Sequence, residues 1–150
     1  MTVETSSSHE ADAKLLQASL EVVADRADEL IASFYGRLFD QYPAVRPMFP
    51  ANMDAQHDKL LGAIIALVTN YENPEALRPT LEALGRKHDG WGVRPEHYTA
   101  VATCLLATLD EYAGEAWTPE IEGAWTRAYT FAAGTMLQGA TTESTTTKAA

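Results

Sequence analysis

Imidazole and thiol side chains, which bind transition metals and take part in catalysis, are few in this chain of 150 residues: it has four histidines and one cysteine. Three of the histidines have an ordinary surface interpretation. His9 lies in a polar N-terminal stretch, and His57 and His97 lie beside charged residues near predicted helix starts. The fourth histidine, His88, therefore carries most of the chemical interest.

His88 ends an apolar helical stripe. The residues before it on that stripe follow helical spacing and are all leucines: Leu77, Leu81 and Leu84. An imidazole at such a position must find a hydrogen bond, bind a metal or stay neutral, because burial disfavours its charged form. On the pattern alone, a hydrogen-bonded structural histidine is a commoner outcome than a metal ligand.

Other site chemistries have little support in the sequence. A zinc site is disfavoured, because the chain has no His-Glu-x-x-His motif, no cysteine pair and no ligand spacing among its histidines. Cys104 lies in an apolar helical run without a Gly-x-Ser-x-Gly companion, which argues against nucleophilic catalysis. A single imidazole suits a metal mainly when a macrocycle supplies the other ligands, as in haem.

Composition and motifs exclude several partners. Eleven basic against twenty-one acidic residues give a net charge of −10, which disfavours nucleic acid and anionic lipid. The longest apolar run, residues 60–68, is too short to span a bilayer, and the lone cysteine suits a reducing cytoplasm. We find no Gly-x-Gly-x-x-Gly after a strand-like run and no Gly-Lys-Ser/Thr loop, so we expect no FAD or NAD site in this chain.

The elements that must position His88 are helices, because apolar residues follow helical spacing almost throughout and the fold class is predicted to be all-α. Residues 11–42 predict one long helix or two successive helices, with Asp25 or Asp28 marking a bend. Three prolines, Pro43, Pro47 and Pro50, predict a corner after them.

Further helices are predicted over about 55–71, from Asn73-Pro74 to about Gly90, and from Pro95 to about 113. Thr118 followed by Pro119 predicts the start of the last helix, with Thr118 as its cap. This makes five or six long helices. Residues 1–10 and the Thr-rich residues 141–150 are predicted to be disordered tails, which leaves 11–140 as one domain.

The order and spacing of four segments make the resemblance to a known family specific. Over about Ala13 to Gln138, the chain resembles the globin domain of the flavohaemoglobins and their single-domain bacterial haemoglobin relatives. The segments are FYGRLFDQYPAVRPMF, AQHDKLLGAI, ALGRKHDGWGVRPEHY and AWTRAY. The resemblance implies a globin fold, a helical sandwich around one haem b, for residues 11–140.

The resemblance also implies roles for individual residues on the two sides of that haem. His88 matches the proximal iron ligand, Tyr35 the distal tyrosine and Phe49 the phenylalanine that packs on the haem face. Aligning QHDKLLGAI places Gln56 at the distal glutamine and Leu60 over the iron. His57 is the rival distal residue, because a shift of one residue in the preceding corner would bring it inward instead.

On the proximal side, Tyr98 matches the family tyrosine that helps to fix the imidazole, together with a glutamate near the end of the last helix. Such contacts orient the ring and set the basicity of the ligand. The chain departs from the pattern here: the glutamate position falls on Thr142, and the adjacent Glu143 needs a shift of one residue. Without a carboxylate near His88, we expect weaker electron donation to the iron.

By resemblance, the expected function is dioxygen binding followed by nitric oxide dioxygenation to nitrate, with Tyr35, Gln56 and Tyr98 assisting catalysis. A separate flavin- and NAD(P)H-dependent reductase would restore the ferrous iron. The alternative is a globin that stores, delivers or senses dioxygen without turnover, and a third class is a helical scaffold that no longer binds haem. The expected state is a cytoplasmic monomer or homodimer.

Overall fold

The computed structural model of the chain describes the backbone of residues 2–149 and the side chains of residues 9–140. Within that part of the chain there are six α-helices and no β-strand, and a short 3-10 helix lies at every connection except that between the fourth and fifth α-helices. The helices are α1 (Thr2–Val23), α2 (Ala27–Gln41), α3 (Asp54–Asn70), α4 (Arg78–Gly90), α5 (Pro95–Ala113) and α6 (Pro119–Ala149). The predicted all-α class is confirmed.

The predicted disordered tails, 1–10 and 141–150, lie outside the residues whose side chains are described, apart from His9 and Glu10. The ring of His9, on α1, lies edge-on to Tyr71 at 5.5 Å between centroids. The disorder of the tails and the domain boundaries at 11 and 140 remain predictions.

Two successive helices occupy the stretch for which the sequence allowed one or two. A 3-10 turn, Ala24–Arg26, separates α1 from α2 and contains Asp25, one of the two predicted bend positions. Arg26 Nη2 donates a hydrogen bond of 2.7 Å to the Tyr112 carbonyl on α5. The bend is thereby tied to the other side of the fold.

Between α2 and α3 the chain turns a corner, as the prolines predict. Tyr42 N donates to the Leu38 carbonyl at 2.8 Å, and a 3-10 helix over Pro43–Met48 follows. Proline lacks the backbone N–H that a continuing α-helix needs, so α2 ends here. The corner delivers the chain to α3 at Asp54, one residue before the predicted start.

The core lies between α1, α2, α3, α5 and α6. On α2 the buried residues recur every three or four positions and form one helix face: Leu30, Ile31, Phe34, Tyr35 and Leu38. Trp125 of α6 is buried and donates from Nε1 to Ser19 Oγ of α1 at 2.8 Å. Among residues 9–140, every buried side-chain nitrogen and oxygen has a hydrogen-bond partner.

The start of α6 agrees with the sequence. Thr118 Oγ1 accepts a hydrogen bond from Ile121 N at 3.2 Å, so the predicted cap is confirmed. Further along, α6 packs against α4 at a close crossing through Gly85 and Gly139. In the part of the chain that the structure describes, none of the helices has the length and apolar character to cross a membrane.

Candidate functional site

Tyr35 is the centre of the first group of candidate residues. It lies on the buried face of α2, where only 4% of its surface is exposed. Burial raises the pKa of its hydroxyl, and a hydrogen bond from Gln56 offsets this in part. The phenol is therefore neutral at physiological pH and keeps a proton to donate.

Gln56 lies in the first turn of α3 and is half-buried. Its Nε2 donates to Tyr35 Oη at 3.1 Å. Because the phenol oxygen accepts this bond, its own O–H is left to donate to a third atom. The amide thus makes the hydroxyl a directed and more polarised donor.

His57 contacts the same tyrosine by a different interaction. Its ring is nearly parallel to that of Tyr35, with 5.1 Å between centroids and an interplanar angle of 7°. The structure therefore brings both rival distal residues against Tyr35, Gln56 through a hydrogen bond and His57 through ring stacking. The surface interpretation of His57 does not describe this position.

Two phenylalanine rings also lie against Tyr35. Phe49 lies edge-on to it at 5.6 Å, and Phe39 lies 5.8 Å from Tyr35 and 5.4 Å from Phe49. Leu60, one turn beyond Gln56, is partly buried against the same core. A polar donor is thus set in an apolar wall, where a hydrogen bond is stronger than in water.

Arg46 holds the corner that carries Phe49. Its Nη1 donates to the carbonyls of Phe49 and Pro50 at 3.3 and 3.0 Å, and its Nη2 donates to that of Ala51 at 3.2 Å. The guanidinium also lies over the Phe39 ring, 5.0 Å from its centroid. Residues 49–51 lie outside the helices, so these bonds satisfy carbonyls that have no partner within a helix.

His88 is the centre of the second group. It lies near the end of α4, half-buried, with Nδ1 at 2.8 Å from the Leu84 carbonyl. A carbonyl only accepts, so Nδ1 carries the proton and donates. The lone pair of the neutral ring is then on Nε2, the state that a metal-binding imidazole requires.

The turn after His88 fixes where α4 ends. The His88 carbonyl accepts from both Trp91 N and Val93 N at 3.0 Å, and Gly92 has a φ of 85°. A left-handed residue here favours glycine, because a side chain would meet the following carbonyl. The predicted stop at Asp89-Gly90-Trp91-Gly92 is confirmed.

Two aromatic rings lie beside His88. Trp91 is 5.1 Å from it and 62% exposed, and Tyr98 on α5 is 6.3 Å from it. The pKa of Tyr98 is raised by burial and then by the negative charge of Asp89. The Tyr98 carbonyl accepts a 2.7 Å bond from the hydroxyl of Tyr129, which ties α5 to α6.

The remaining candidates separate into structural residues and residues outside the described part. His97 Nδ1 accepts from Arg94 N at 2.9 Å and so caps the start of α5. Thr142 and Glu143 lie outside the residues whose side chains are described. Within residues 9–140, no group of three or more His, Cys, Asp or Glu side chains is placed to hold a metal ion.

Sequence reasoning missed Phe39, Arg46 and Trp91. Phe39 follows Tyr35 by four residues on a predicted helix, so helical spacing alone places the two rings on one face. The sequence pattern indicates only a helix stop at Trp91. No local pattern identifies Arg46, because its partners are backbone carbonyls of an irregular corner.

The fold and the two groups together describe an all-α protein with one half-buried imidazole bonded through Nδ1 to a helix carbonyl and a buried hydroxyl donor among aromatic rings. The family model described as Globin matches residues 32–136. This region includes Tyr35, Gln56, His88 and Tyr98. The chain belongs to the globin family, and the globin fold expected from the resemblance is confirmed.

Proteins that are similar to this chain in sequence include flavohemoproteins and a globin-like protein. The chain is 37% identical to a flavohemoprotein of Rhodopirellula baltica over 125 residues, which are 80% of this chain and 30% of that protein. It is 31% identical to an uncharacterized globin-like protein of Aquifex aeolicus, covering 83% of this chain and 88% of that one. The chain thus spans about 30% of the length of its flavohemoprotein relatives.

Solved structures agree on the fold. A bacterial globin from Campylobacter jejuni superposes with a TM-score of 0.76 at 25% identity and covers 89% of this chain and 96% of its own. An engineered carbene transferase, a candidate nitric oxide dioxygenase from Rhodothermus marinus, gives 0.79 at 26% identity and covers 91% and 96%.

Proposed function

We propose that this chain binds one haem b through His88, holds dioxygen on the opposite face beside Tyr35 and Gln56, and converts nitric oxide to nitrate. A separate flavin- and NAD(P)H-dependent reductase would supply the electrons. The observation that carries this proposal is the bond from Gln56 Nε2 to Tyr35 Oη, which leaves a buried hydroxyl proton to donate inside an aromatic wall.

The residues of the chain fit this cofactor. Haem iron receives four ligands from its macrocycle, so one neutral imidazole nitrogen from the protein is enough. The bond from His88 Nδ1 to the Leu84 carbonyl leaves Nε2 in the required form. When bound, haem supplies the iron at which dioxygen is held and reacts with nitric oxide.

Each residue of the first group has a distinct task in this proposal. Tyr35 would donate a hydrogen bond from its hydroxyl to a ligand that carries negative charge, and a preorganised donor of this kind costs no reorganisation during reaction. Gln56 orients the hydroxyl. The rings of Phe39 and Phe49, together with Leu60, exclude water that would promote oxidation of the iron. Tyr98 acts through the orientation of His88.

The flavohemoprotein relatives support the reductase part of the proposal. Their name joins a flavin to a haem group, and only about 30% of their length matches this chain. The competing function is storage, delivery or sensing of dioxygen without turnover. The Tyr35 hydroxyl that Gln56 orients favours this function as well, because a hydrogen bond to the ligand slows its release.

Haem ligation is tested first, with the purified full chain. Haem-loaded wild type is expected to give a histidine-ligated ferrous spectrum that His88→Ala loses, whereas His9→Ala keeps it. A histidine-ligated spectrum in His88→Ala would show that another residue holds the iron.

Turnover is tested by mixing the oxygenated protein with nitric oxide in a stopped-flow instrument and then adding flavin-dependent reductases with NADH or NADPH. Fast oxidation, stoichiometric nitrate and renewed reduction over many cycles are expected. Oxidation that no reductase reverses would reject the enzyme and leave a binding protein that scavenges nitric oxide once.

The two rival distal residues are compared in the same assay. Gln56→Leu removes the donor to Tyr35, so it should speed oxygen release or autoxidation. His57→Leu removes only a stacked ring, so its effect should be smaller. The opposite order would assign the distal role to His57.

A further inference from the structure

We infer that Gly85 and Gly139 are positioning residues for the iron ligand, because their backbone crossing sets the place of the peptide group that orients His88. The inference rests on the proposed role of His88 as the haem ligand. It concerns two residues without side chains, for which neither the sequence pattern nor the proposed chemistry provides a role.

The helices α4 and α6 touch backbone to backbone at this crossing. A Cβ on Gly85 would lie 2.6 Å from Met136 Cα and closer still to the Met136 carbonyl oxygen. A Cβ on Gly139 would lie 2.6 Å from Glu82 Cα. Both values are far inside the ~3.5–4.0 Å optimum for carbon atoms, so any side chain here would push the helices apart.

The contact is reciprocal. Gly85 of α4 faces the backbone of Met136 on α6, and Gly139 of α6 faces the backbone of Glu82 on α4. Within each helix, the glycine and the residue that the other glycine faces are three positions apart. Two such points along one antiparallel crossing define both the separation of the helices and their sliding register.

The crossing is linked to His88 through one peptide group. Leu84 supplies the carbonyl that accepts from His88 Nδ1, and this carbonyl belongs to the planar unit that ends at Gly85 Cα. A Cβ at Gly85 would therefore displace the peptide unit whose carbonyl orients the His88 imidazole. Partners of this kind fix ring orientation and ligand basicity in metal sites.

Other glycines on the same helices are different and supply matched controls. A Cβ would meet nothing within 4 Å at Gly90 of α4 or at Gly134 of α6. Alanine at these two positions adds the same methyl group to the same helices without a clash. It should also raise helix propensity slightly.

The test uses the haem-loaded full chain with Gly85→Ala, Gly139→Ala, Gly90→Ala and Gly134→Ala. Two readouts are measured: the iron–histidine stretching band of the ferrous protein by resonance Raman, and the rate of haem transfer to excess apoglobin. The two crossing variants are expected to shift the band to lower frequency and to speed haem transfer roughly tenfold or more. The two controls should match wild type in both.

Circular dichroism separates positioning from mere support of the fold. Crossing variants with native helicity but an unchanged band and transfer rate would overturn the inference. If Gly85→Ala fails to fold, Gly139→Ala decides alone, since its contact lies six residues before His88. Failure of both to fold would assign the crossing a purely structural role and reject the positioning role.

The failure of this inference is distinct from that of the proposed function. A wild-type protein that loads haem without an iron–histidine band would refute ligation by His88 and, with it, the positioning role. A normal band in wild type that the crossing variants retain would refute the positioning role alone.

Discussion

The hydroxyl of Tyr35 can accept one hydrogen bond and donate another. Its oxygen accepts from Gln56, and its proton remains to donate. Burial keeps that proton in place, because it raises the pKa of the phenol. At the scale of single residues, the site therefore depends on a donor held neutral and aimed by an amide, rather than on a charged side chain.

Tyr35→Phe should speed dioxygen dissociation roughly tenfold or more, because a hydrogen bond to a charged acceptor contributes about 1.5–3 kcal/mol. Dissociation is measured by rapid mixing of the oxygenated protein with a dioxygen scavenger. Tyr42→Phe is the control, because Tyr42 is 37% exposed and lies just beyond the end of the same helix. Equal rates in Tyr35→Phe and wild type would remove Tyr35 from ligand binding.

Tyr129 makes stability depend on alkaline pH. Burial raises its pKa well above the usual value of 10.0, so the folded state retains the phenol proton that the unfolded state loses. Its contribution is complete below about pH 10 and is lost as the pH rises further. Urea unfolding should show a smaller loss of stability between pH 7 and roughly pH 11 in Tyr129→Phe than in wild type. An equal loss would assign the alkaline decline to other tyrosines.

At the scale of helices, three of the candidate site residues lie near helix ends. Gln56 and His57 lie in the first turn of α3, and His88 lies in the last turn of α4, so corners and caps determine where these side chains go. The two ends are held by different devices. Arg46 satisfies carbonyls before α3, and Gly92 permits the reversal after α4.

Thr118→Ala should lower the free energy of unfolding by about 1 kcal/mol, because it removes the acceptor for Ile121 N at the start of α6. Chemical denaturation followed by circular dichroism measures the change. Thr130→Ala, an exposed position within the same helix, should be neutral or slightly stabilising. A loss of similar size in both variants would contradict the capping role.

At the scale of the whole molecule, long-range polar contacts join the first and last helices. Arg127 donates to both carboxylate oxygens of Asp12 at 2.8 Å, and Asp12 is only 6% exposed. The Trp125–Ser19 hydrogen bond lies on the same interface. These contacts close the fold around the core by pairing residues more than one hundred positions apart.

Arg127→Met should destabilise the protein by about 1–3 kcal/mol, because it leaves the buried Asp12 carboxylate without its donor. Arg37→Met is the matched control: Arg37 pairs with Glu111, whose side chain is 58% exposed, and such pairs contribute about 0–1 kcal/mol. Thermal and urea unfolding of the two variants give the comparison. A larger loss for Arg37→Met would mean that burial of Asp12 is not the decisive factor.

Much of the fold was predictable because its signals are local. Helical spacing of apolar residues, prolines at corners and a threonine before Pro119 identified α2 to α5 and the start of α6 to within a few residues. The choice between one helix and two over 11–42 was not predictable. It depends on a three-residue 3-10 turn that Arg26 anchors to α5, and hydropathy does not report such a contact.

The candidate site was predictable in its residue types and only partly in its arrangement. His88 ends its apolar stripe as predicted, and it makes the hydrogen bond that a structural histidine needs while leaving Nε2 for a metal. From the sequence, Gln56 and His57 are alternative candidates for the distal residue. In the structure both contact Tyr35, because they are consecutive residues at the start of α3. Gln56 bonds to the hydroxyl, and the His57 ring stacks on the face of the phenol ring.

The sequence by itself determined the helical class, the corners and the family, since these follow from short-range spacing and from the order of motifs. Only the tertiary structure decided the hydrogen bond between Gln56 and Tyr35 and the glycine crossing between α4 and α6. The physical reason is the same in both cases. Each depends on the distance between helices that are remote in sequence, and a glycine or an amide has no hydropathy signal that encodes that distance.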